Sequence, residues 1–332
     1  MVDAREAEKL NPTGKGVWAK NVIYELEKRN VELSRIGNPS SIWHLKTAKF
    51  LKNNVPDIYL STTSFIVPYL LGKKVPYAIV VHDLIAFEKD RHDKKAKLIE
   101  RFTLKRAARN AKIIFTVSDS TRLEFLKRFP DIDPNKVVTV YAGPTITDLE
   151  QAERSEGNYI LSIGTLCPRK NQLKLIEAWN LLPTDIKTNY KLILAGGRGW
   201  DDDEIVELAE KSDGVEWKGF VESKEMIKLL SDATAFAYPS LLEGFGIPIL
   251  DAMKLAIPVI TSNRSSLREI SGNANLLIDP EDTRNITEAL EKVLTDPVLR
   301  KDLSEKGIER SKCFSWEKTA DLIVENLKMS DY

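Results

Sequence analysis

The sequence is poor in cysteine and histidine, the residue types that most often build disulfide scaffolds and zinc sites. It contains 2 Cys and 3 His in 332 residues. Cys167 and Cys313 are far apart and lack the spacing of metal ligands, so a disulfide-stapled fold is excluded and no metal site is expected. Two isolated cysteines favour a reducing compartment.

Long hydrophobic runs are also missing. No apolar stretch reaches the roughly 18–20 residues that a membrane-spanning helix needs. The N-terminal segment at residues 2–8 is acidic and does not resemble a signal peptide. The sequence therefore predicts a cytoplasmic protein.

An overall excess of one charge is absent, because 49 Lys and Arg balance 49 Asp and Glu. The two halves nevertheless differ: residues 1–150 hold 26 basic and 18 acidic side chains, a net charge of +8, and the remainder carries −8. The basic excess is densest at Lys94–Lys112, where Leu98, Ile99 and Phe102 recur at helical spacing. Two interpretations stay open, a solvated outer helix face or an interfacial helix on an anionic membrane. Nucleic acid is not indicated.

Short apolar or β-branched runs alternate with amphipathic helical stretches along the whole chain. Before a polar segment at 143–158 these runs lie at residues 77–81, 111–117 and 136–141. After it they lie at residues 159–164, 190–197, 233–239, 257–262 and 273–280. This rhythm is typical of parallel α/β units. It predicts two doubly wound, Rossmann-like domains, residues 1–150 and 151–332, with a closing helix at Phe314–Met329.

In such sheets ligands gather at the carboxyl ends of the strands, so glycines and charges there are candidates. Gly14 and Gly16 are expected just before an amphipathic helix, where backbone N–H groups can approach a phosphate. Residues 14–19 also match the dinucleotide fingerprint G-x-G-x-x-A. That fingerprint follows its strand directly, whereas the strand candidate Met1–Ala4 ends about ten residues earlier. An NAD-dependent dehydrogenase is therefore the less favoured alternative.

Two further strand ends carry polar residues. His82 closes an apolar run, and a histidine there can bond a substrate hydroxyl or move a proton, although a structural role is equally open. Arg169 and Lys170 follow the run that ends at Gly164 and precede a predicted helix. Two adjacent cations beside a helix N-terminus suit a diphosphate.

The segment Leu241–Asp251 contains two acids, Glu243 and Asp251, and two glycines. The glycines are expected to begin a helix whose backbone amides cradle an anion, the candidate donors being Gly244, Phe245, Gly246 and Ile247. Two helical turns separate the acids. Such a span suits two hydroxyl groups of one extended ligand, with a diphosphate between them.

Four segments together resemble the retaining GT-B glycosyltransferases of family 4. They read "GTLCPRKN" from Gly164, "AGGRGW" from Ala195, "YPSLLEGFGIPILDAM" from Tyr238 and "PVITSNRSSLREISGNANLLIDPED" from Pro258. The resemblance implies two Rossmann-like domains that face each other across a cleft, with the C-terminal helix packing back on the N-terminal domain. It also implies that the C-terminal domain binds a nucleotide sugar and the N-terminal domain an acceptor.

The resemblance also implies roles for individual residues. Glu243 would lie near the hydroxyls of the donor sugar and Asp251 would hold the ribose, while Arg169 and Lys170 would neutralise the diphosphate. His82 would contact the transferred sugar. The glycines expected near the nucleotide or its phosphates are Gly14, Gly16, Gly164, Gly196, Gly197, Gly244 and Gly246. The sequence departs from the family at Asp251, where the E-x7-E motif has a second glutamate.

The implied reaction is a metal-independent, retaining transfer of a hexose in surface polysaccharide or glycoconjugate synthesis. Mannose from GDP-mannose is favoured as the donor, and a UDP-sugar is the alternative. The acceptor is expected to be a glycan or a lipid-linked molecule, which adds membrane association through Lys94–Lys112. No cofactor is expected beyond the nucleotide-sugar substrate. A non-catalytic binder of sugar nucleotides stays open.

Overall fold

The computed structural model describes residues 1–10, 12–29, 31–37, 42–88, 94–146 and 157–329. The chain divides into two compact units, Met1–Gly143 with Ser315–Tyr332, and Pro144–Phe314. Each unit holds a six-stranded parallel sheet with flanking helices, so the predicted α/β class and the two Rossmann-like units are confirmed. The boundary predicted between residues 150 and 151 lies outside the described residues.

The first unit has its strands in the order β2-β1-β3-β4-β5-β6. The strands are β1 (Val2–Asp3), β2 (Arg35–Ile36), β3 (Tyr59–Ser61), β4 (Tyr77–Val81), β5 (Ile113–Thr116) and β6 (Val137–Thr139). The helices are α1 (Gly14–Glu27), α2 (Trp43–Asn53), α3 (Ile66–Leu71), α4 (Lys94–Asn110), α5 (Asp119–Arg128) and, from the end of the chain, α14 (Trp316–Met329).

The central strands of this sheet are buried on both faces. All five residues of β4 are buried, as the continuous apolar run predicts for an inner parallel strand. Its neighbour β5 pairs with it in parallel, with Ile79 opposite Ile114. The predicted strand β4 is confirmed with the same bounds, and β5 and β6 are confirmed with narrower bounds. The short strands β2 and β3 were not predicted, because two or three residues give no periodic pattern.

The C-terminal helix α14 belongs to the first unit by contact, although it follows the second unit in sequence. Its start is capped by Ser315, whose Oγ accepts a hydrogen bond from the Lys318 amide at 3.2 Å. The helix packs on α1, and just after that helix Arg29 Nε donates to Asp321 Oδ1 at 2.7 Å. The expectation that the last helix packs back on the N-terminal domain is confirmed.

The second unit has the strand order β12-β11-β10-β7-β8-β9. The strands are β7 (Tyr159–Ile163), β8 (Lys191–Ala195), β9 (Val215–Trp217), β10 (Ala235–Tyr238), β11 (Val259–Ser262) and β12 (Leu276–Ile278). The helices are α6 (Gln172–Asn180), α7 (Thr184–Asn189), α8 (Asp203–Lys211), α9 (Ser223–Ser231), α10 (Ile247–Lys254), α11 (Ser265–Ser271), α12 (Thr283–Thr295) and α13 (Pro297–Ser311).

The strand order of the second unit reverses between β7 and β10. In a doubly wound sheet the loops leave adjacent strands in opposite directions at such a switch point, and this opens a crevice at their carboxyl ends. The loops that carry Arg169, Lys170 and Glu243 leave β7 and β10 at this point. Within the described residues, every helix is too short or too polar to serve as a membrane span.

Candidate active site

The loops that follow β7 and β10 are fixed to each other by hydrogen bonds. Asn171 adopts the left-handed conformation, with φ 62°, at the start of α6. Its Nδ2 donates to the carbonyl oxygens of Pro239 at 3.2 Å and Pro280 at 2.7 Å. The Leu241 amide donates to the Arg169 carbonyl oxygen at 2.9 Å. The backbone of the predicted cation pair is therefore held against the segment that carries the predicted acid.

One oxygen of Glu243 collects three hydrogen bonds. Its Oε1 accepts from Arg169 Nη1 at 2.8 Å, Lys170 Nζ at 2.7 Å and the Tyr238 hydroxyl at 3.2 Å. The side chains of Arg169, Lys170 and Glu243 are only 19%, 14% and 12% exposed. These four residues are called the Glu243 cluster below. It brings together both predicted cations and the first predicted acid.

Tyr238 is the member of this cluster that sequence reasoning missed. It ends β10, and its hydroxyl accepts a hydrogen bond from Lys170 Nζ. The same ammonium lies 4.6 Å from the centre of the Tyr238 ring. A buried tyrosine needs a hydrogen-bond partner for its hydroxyl. The position of Tyr238 at the end of a buried run, beside charged loops, could therefore have identified it as a site residue.

The electrostatics of the cluster favour charged side chains. Burial works against the charge of Lys170, but Glu243 and Tyr238 together outweigh it and raise the pKa of Lys170 above its ordinary value. Burial likewise opposes the charge of Glu243, yet Lys170 and then Arg169 lower the pKa of that carboxyl. Burial followed by the Glu243 charge raises the pKa of Tyr238. Two cations thus face one anion, which leaves net positive charge.

The backbone around Glu243 is anchored to the neighbouring β11 and α11. Ser266 Oγ donates to the Glu243 carbonyl oxygen at 2.9 Å, and Ser262 Oγ donates to that of Ser240 at 2.6 Å. Gly246 has φ 113°, and a Cβ there would lie 2.7 Å from Leu267 Cδ2. Only glycine fits this position. The helix predicted after the two glycines is confirmed as α10.

The second predicted acid, Asp251, is buried on α10. Its carboxylate accepts from the Thr145 amide and hydroxyl, each at 2.6 Å, and from the Ile146 amide at 3.4 Å. Burial raises its pKa to about 6, and the hydrogen bonds from Thr145 and Ile146 act in the opposite sense. Asp251 therefore holds the segment that opens the second unit, and its contact with a ribose stays a prediction.

The glycines after β7 and β8 allow two turns to touch. A Cβ on Gly196 would overlap the carbonyl oxygen of Gly164. The Gly164 amide donates to the Ala195 carbonyl oxygen at 2.9 Å, and Trp217 Nε1 donates to that of Gly196 at 2.9 Å. Gly197 is open, with Phe220 Cβ 4.0 Å from its Cβ position. Close packing therefore explains Gly196, whereas a ligand contact of Gly197 stays a prediction.

In the first unit His82 follows β4 and is buried. Its Nε2 lies 2.7 Å from the Thr62 carbonyl oxygen, and its ring contacts Trp18 edge-on with centroids 5.3 Å apart. Burial, and then the charge of Lys15, lowers the pKa of His82 to about 4. The imidazole is thus neutral near pH 7. It can form hydrogen bonds, but it does not supply a positive charge.

The placement expected for Gly14 and Gly16 is wrong in one respect. Both lie in the first turn of α1 instead of preceding the helix. A Cβ on Gly16 would lie 2.6 Å from the Glu6 carbonyl oxygen and 2.8 Å from Pro12 Cβ, so close backbone packing requires glycine there. Nothing lies within 4 Å of the Cβ position of Gly14. Among the described residues, no group of three His, Cys, Asp or Glu side chains could hold a metal ion.

Comparison with known proteins decides the family. The sequence pattern of a family described as "Glycosyl transferases group 1" matches residues 146–310. The chain is 32% identical over 315 residues to O-antigen chain mannosyltransferase B of Escherichia coli, covering 90% of this chain and 80% of that protein. The chain belongs to the glycosyl transferases group 1. This makes it a hexosyltransferase and removes the dehydrogenase interpretation.

Two other similarities agree with that assignment. The chain is 31% identical over 266 residues to the serotype-specific mannosyltransferase WbdA of Escherichia coli, covering 74% of this chain but only 32% of that longer protein. HepE from Anabaena, solved in complex with UDP-glucose, superposes with a TM-score of 0.77 at 16% identity, covering 99% of this chain and 98% of that one. At this identity the structural match supports the fold.

Proposed function

We propose that this member of the family transfers mannose from GDP-mannose to a hydroxyl group of a glycan, free or lipid-linked, in the synthesis of a surface polysaccharide. The Glu243 cluster is the observation that supports this proposal most strongly. It lies where the strand order reverses, and it presents two cations against one carboxylate. A nucleoside diphosphate is an anion, opposite in charge to this net positive cluster, and ligands of doubly wound sheets bind at such a switch point.

Binding of the diphosphate is proposed to use Arg169 and Lys170 together with the amides at the start of α10, Gly244, Phe245, Gly246 and Ile247. A guanidinium binds phosphate oxygens in a bidentate fork, and an ammonium acts as a point charge. A helix N-terminus adds N–H donors and a favourable dipole. Because Glu243 and the backbone already hold both cations in place, little reorganisation is needed when charge develops on the leaving diphosphate.

Asp251 is proposed to hold the ribose hydroxyls. A carboxylate offers about four acceptor sites, and Thr145 and Ile146 supply three donors to it. One site is left for a ribose hydroxyl, and a second becomes available if the Thr145 hydroxyl turns away. Asp251→Glu should keep or strengthen GDP binding, whereas Asp251→Asn should weaken it about tenfold, the value of one hydrogen bond to a charged group. Equal weakening by both variants would contradict this role.

Mannose as the transferred sugar is supported by the relatives' names, since O-antigen chain mannosyltransferase B and WbdA are both called mannosyltransferases. The acceptor is proposed from the same names, because an O-antigen chain is a surface glycan. The proposed reaction retains the configuration of the sugar and uses no metal. The bond from the anomeric carbon to the diphosphate oxygen breaks as the bond to the acceptor oxygen forms on the same face.

In this step the proton of the acceptor hydroxyl passes to the leaving diphosphate, so no protein nucleophile is required. Arg169 and Lys170 are proposed to stabilise the negative charge that grows on the diphosphate, and Glu243 to bond hydroxyls of the donor sugar. A contact of His82 with a sugar hydroxyl is proposed from its neutral imidazole, whose Nε2–H donates to the Thr62 carbonyl oxygen and whose Nδ1 can accept one hydrogen bond.

A thermal-shift panel with a chelator present tests the donor. GDP-mannose and GDP should raise the melting temperature more than UDP-glucose does, and NADH should have no effect. A larger shift with UDP-glucose would replace the proposed donor with a UDP-sugar. Absence of a shift with every nucleotide until a divalent metal is added would contradict metal-free binding.

Transfer must be measured separately, because binding alone does not show catalysis. Incubation with GDP-mannose labelled in the sugar should release GDP and give an α-linked product or α-mannose, detected by proton NMR. Binding of GDP-mannose with neither transfer nor slow hydrolysis would indicate a non-catalytic binder. A β-configured first product would contradict the retaining mechanism.

A further inference from the structure

A groove on the first unit, unrelated to the Glu243 cluster, has a composition suited to an anionic lipid surface. It has a volume of about 750 Å³ and is lined by the end of α3, the turn after it and one face of α4. Five of its ten lining residues are basic and none is acidic. The lining residues are Tyr69, Gly72, Lys73, Leu98, Arg101, Phe102, Lys105, Arg106, Arg109 and Asn110.

Part of this positive charge makes no close ion pair, although Asp131 acts on Lys105 at longer range. Arg109 pairs with Asp131 at 2.6 Å, and the guanidinium of Arg106 lies 5.2 Å from the centre of the Tyr69 ring. Lys73 and Lys105 are exposed, and neither makes a side-chain hydrogen bond or ion pair with another residue in the described part of the chain. The groove therefore offers at least two ammonium groups to an external anion.

Apolar side chains stand beside these cations and are open to water. On α4, Leu98 is 67% exposed, Phe102 65% and Ile99 44%. A free phosphate could neutralise the ammonium groups, but it would leave these side chains in water. A bilayer with anionic headgroups satisfies both, because its surface attracts the cations and its acyl region buries the apolar groups.

We propose that the groove between α3 and α4 docks the protein on an anionic bilayer. Lipid phosphates lie beside Lys73, Lys105 and Arg106, and the side chains of Leu98 and Phe102 enter the acyl boundary. The alternative of a merely solvated helix face leaves the exposed apolar side chains unexplained. The proposal goes beyond the sugar-transfer reaction and does not depend on it, since docking requires no donor.

Helix α2 extends the same composition. It packs against α3, which in turn packs against α4. It exposes Leu45 and Phe50, with the lysines at 46, 49 and 52 exposed as well. Cations and apolar groups thus recur together on two helices of one packed layer. This agrees with the net charge of +8 carried by residues 1–150.

Vesicle flotation tests the proposal with the full-length protein. Wild type should float with phosphatidylcholine vesicles that contain phosphatidylglycerol, and should stay behind with phosphatidylcholine alone or in high salt. Lys73→Glu/Lys105→Glu should lower the partition coefficient at least about 30-fold, because each lysine near an anionic surface contributes about a factor of five. The matched control, Lys224→Glu/Lys301→Glu, makes the same charge change on exposed residues of the second unit and should float like wild type.

A second pair of variants separates bilayer docking from simple attraction of anions. Leu98→Ser/Phe102→Ser should reduce flotation, whereas Leu123→Ser/Val298→Ser, at similarly exposed positions, should not. Melting temperatures without ligand should match wild type in all four double variants, which shows that they fold and keeps this test apart from that of sugar transfer.

Three results would overturn the proposal. The first is wild-type protein that does not float with anionic vesicles. The second is equal flotation of the groove and control charge variants. The third is flotation that survives loss of both apolar side chains or is displaced by inorganic phosphate at equal ionic strength, since the groove would then bind only soluble anions.

Discussion

Replacing Glu243 with glutamine tests the Glu243 cluster directly. The substitution keeps the size of the side chain but removes the charge from the atom that accepts from Arg169, Lys170 and Tyr238. Two cations that are 19% and 14% exposed then lose their counter-charge. Loss of one partner of a buried ion pair costs about 3–5 kcal/mol. The remaining exposure places the expected loss of unfolding free energy near the lower value.

Urea denaturation of both proteins measures this loss, and its dependence on pH provides a second check. The pKa of Glu243 is lowered in the folded state, so its contribution is present above the ordinary carboxyl pKa and is lost as pH falls through the folded value. The two stability curves should therefore converge in acid. GDP should also raise the melting temperature of Glu243→Gln more than that of wild type, because its diphosphate replaces the missing negative charge.

The exposed pair of Glu281 with Arg264 supplies the control. Glu281 Oε2 lies 2.6 Å from Arg264 Nη1, but the two side chains are 65% and 38% exposed. Glu281→Gln should cost less than about 1 kcal/mol, as solvent-exposed pairs do. An equal small cost for both substitutions, or a loss for Glu243→Gln that does not change with pH, would refute the reasoning.

Four further predictions concern single residues. Tyr238→Phe removes a buried hydroxyl that bonds two charged groups and should cost about 1–3 kcal/mol in urea denaturation; an unchanged midpoint would show that the hydroxyl contributes nothing. Gly246→Ala should lower the melting temperature markedly, since the new Cβ meets Leu267 and φ is 113°; a variant as stable as wild type would contradict this. Asp251 has a folded pKa of about 6 against 3.8, so wild type should lose about 2 kcal/mol of unfolding free energy relative to Asp251→Asn as pH rises from 4 to 7; parallel stability curves would refute the burial of its charge. His82 should show no NMR titration between about pH 5 and 8, because its pKa lies near 4; a midpoint near the ordinary value would contradict its burial.

The sequence predicted the longer strands better than the shortest ones. Inner parallel strands are continuous apolar runs, which is why β4, β7 and β10 could be recognised. The edge strands β2 and β9 are two and three residues long, and neither is fully buried. Their backbone pairing with a neighbouring strand defines them, and a pattern of side chains does not record such pairing.

For the site, sequence reasoning found residues by charge and by position after a strand. It located Arg169, Lys170 and Glu243 because loops at a switch point hold such groups. It missed Tyr238, since an aromatic residue at the end of a buried run resembles core until its hydroxyl partner is known. It also could not foresee that Thr145 occupies the Asp251 carboxylate, because 106 residues separate them in sequence.

The spacing of apolar residues also does not predict which of the two units α14 packs on. The helix follows the second unit in the chain, and its cap at Ser315 marks only where it begins. It packs on α1, and Asp321 bonds Arg29 just after that helix, nearly 300 residues earlier. Only the resemblance to a known fold predicted this return.

The most direct test of the central claim is calorimetric titration of GDP-mannose, in the presence of EDTA, into wild type and Arg169→Ala. The control is Arg284→Ala, which changes an exposed arginine of α12. Wild type and control should bind with equal affinity. Arg169→Ala should bind about 10–150-fold more weakly, since a hydrogen bond to a charged group contributes about 1.5–3 kcal/mol. Equal binding by all three proteins would show that the Glu243 cluster does not hold the diphosphate.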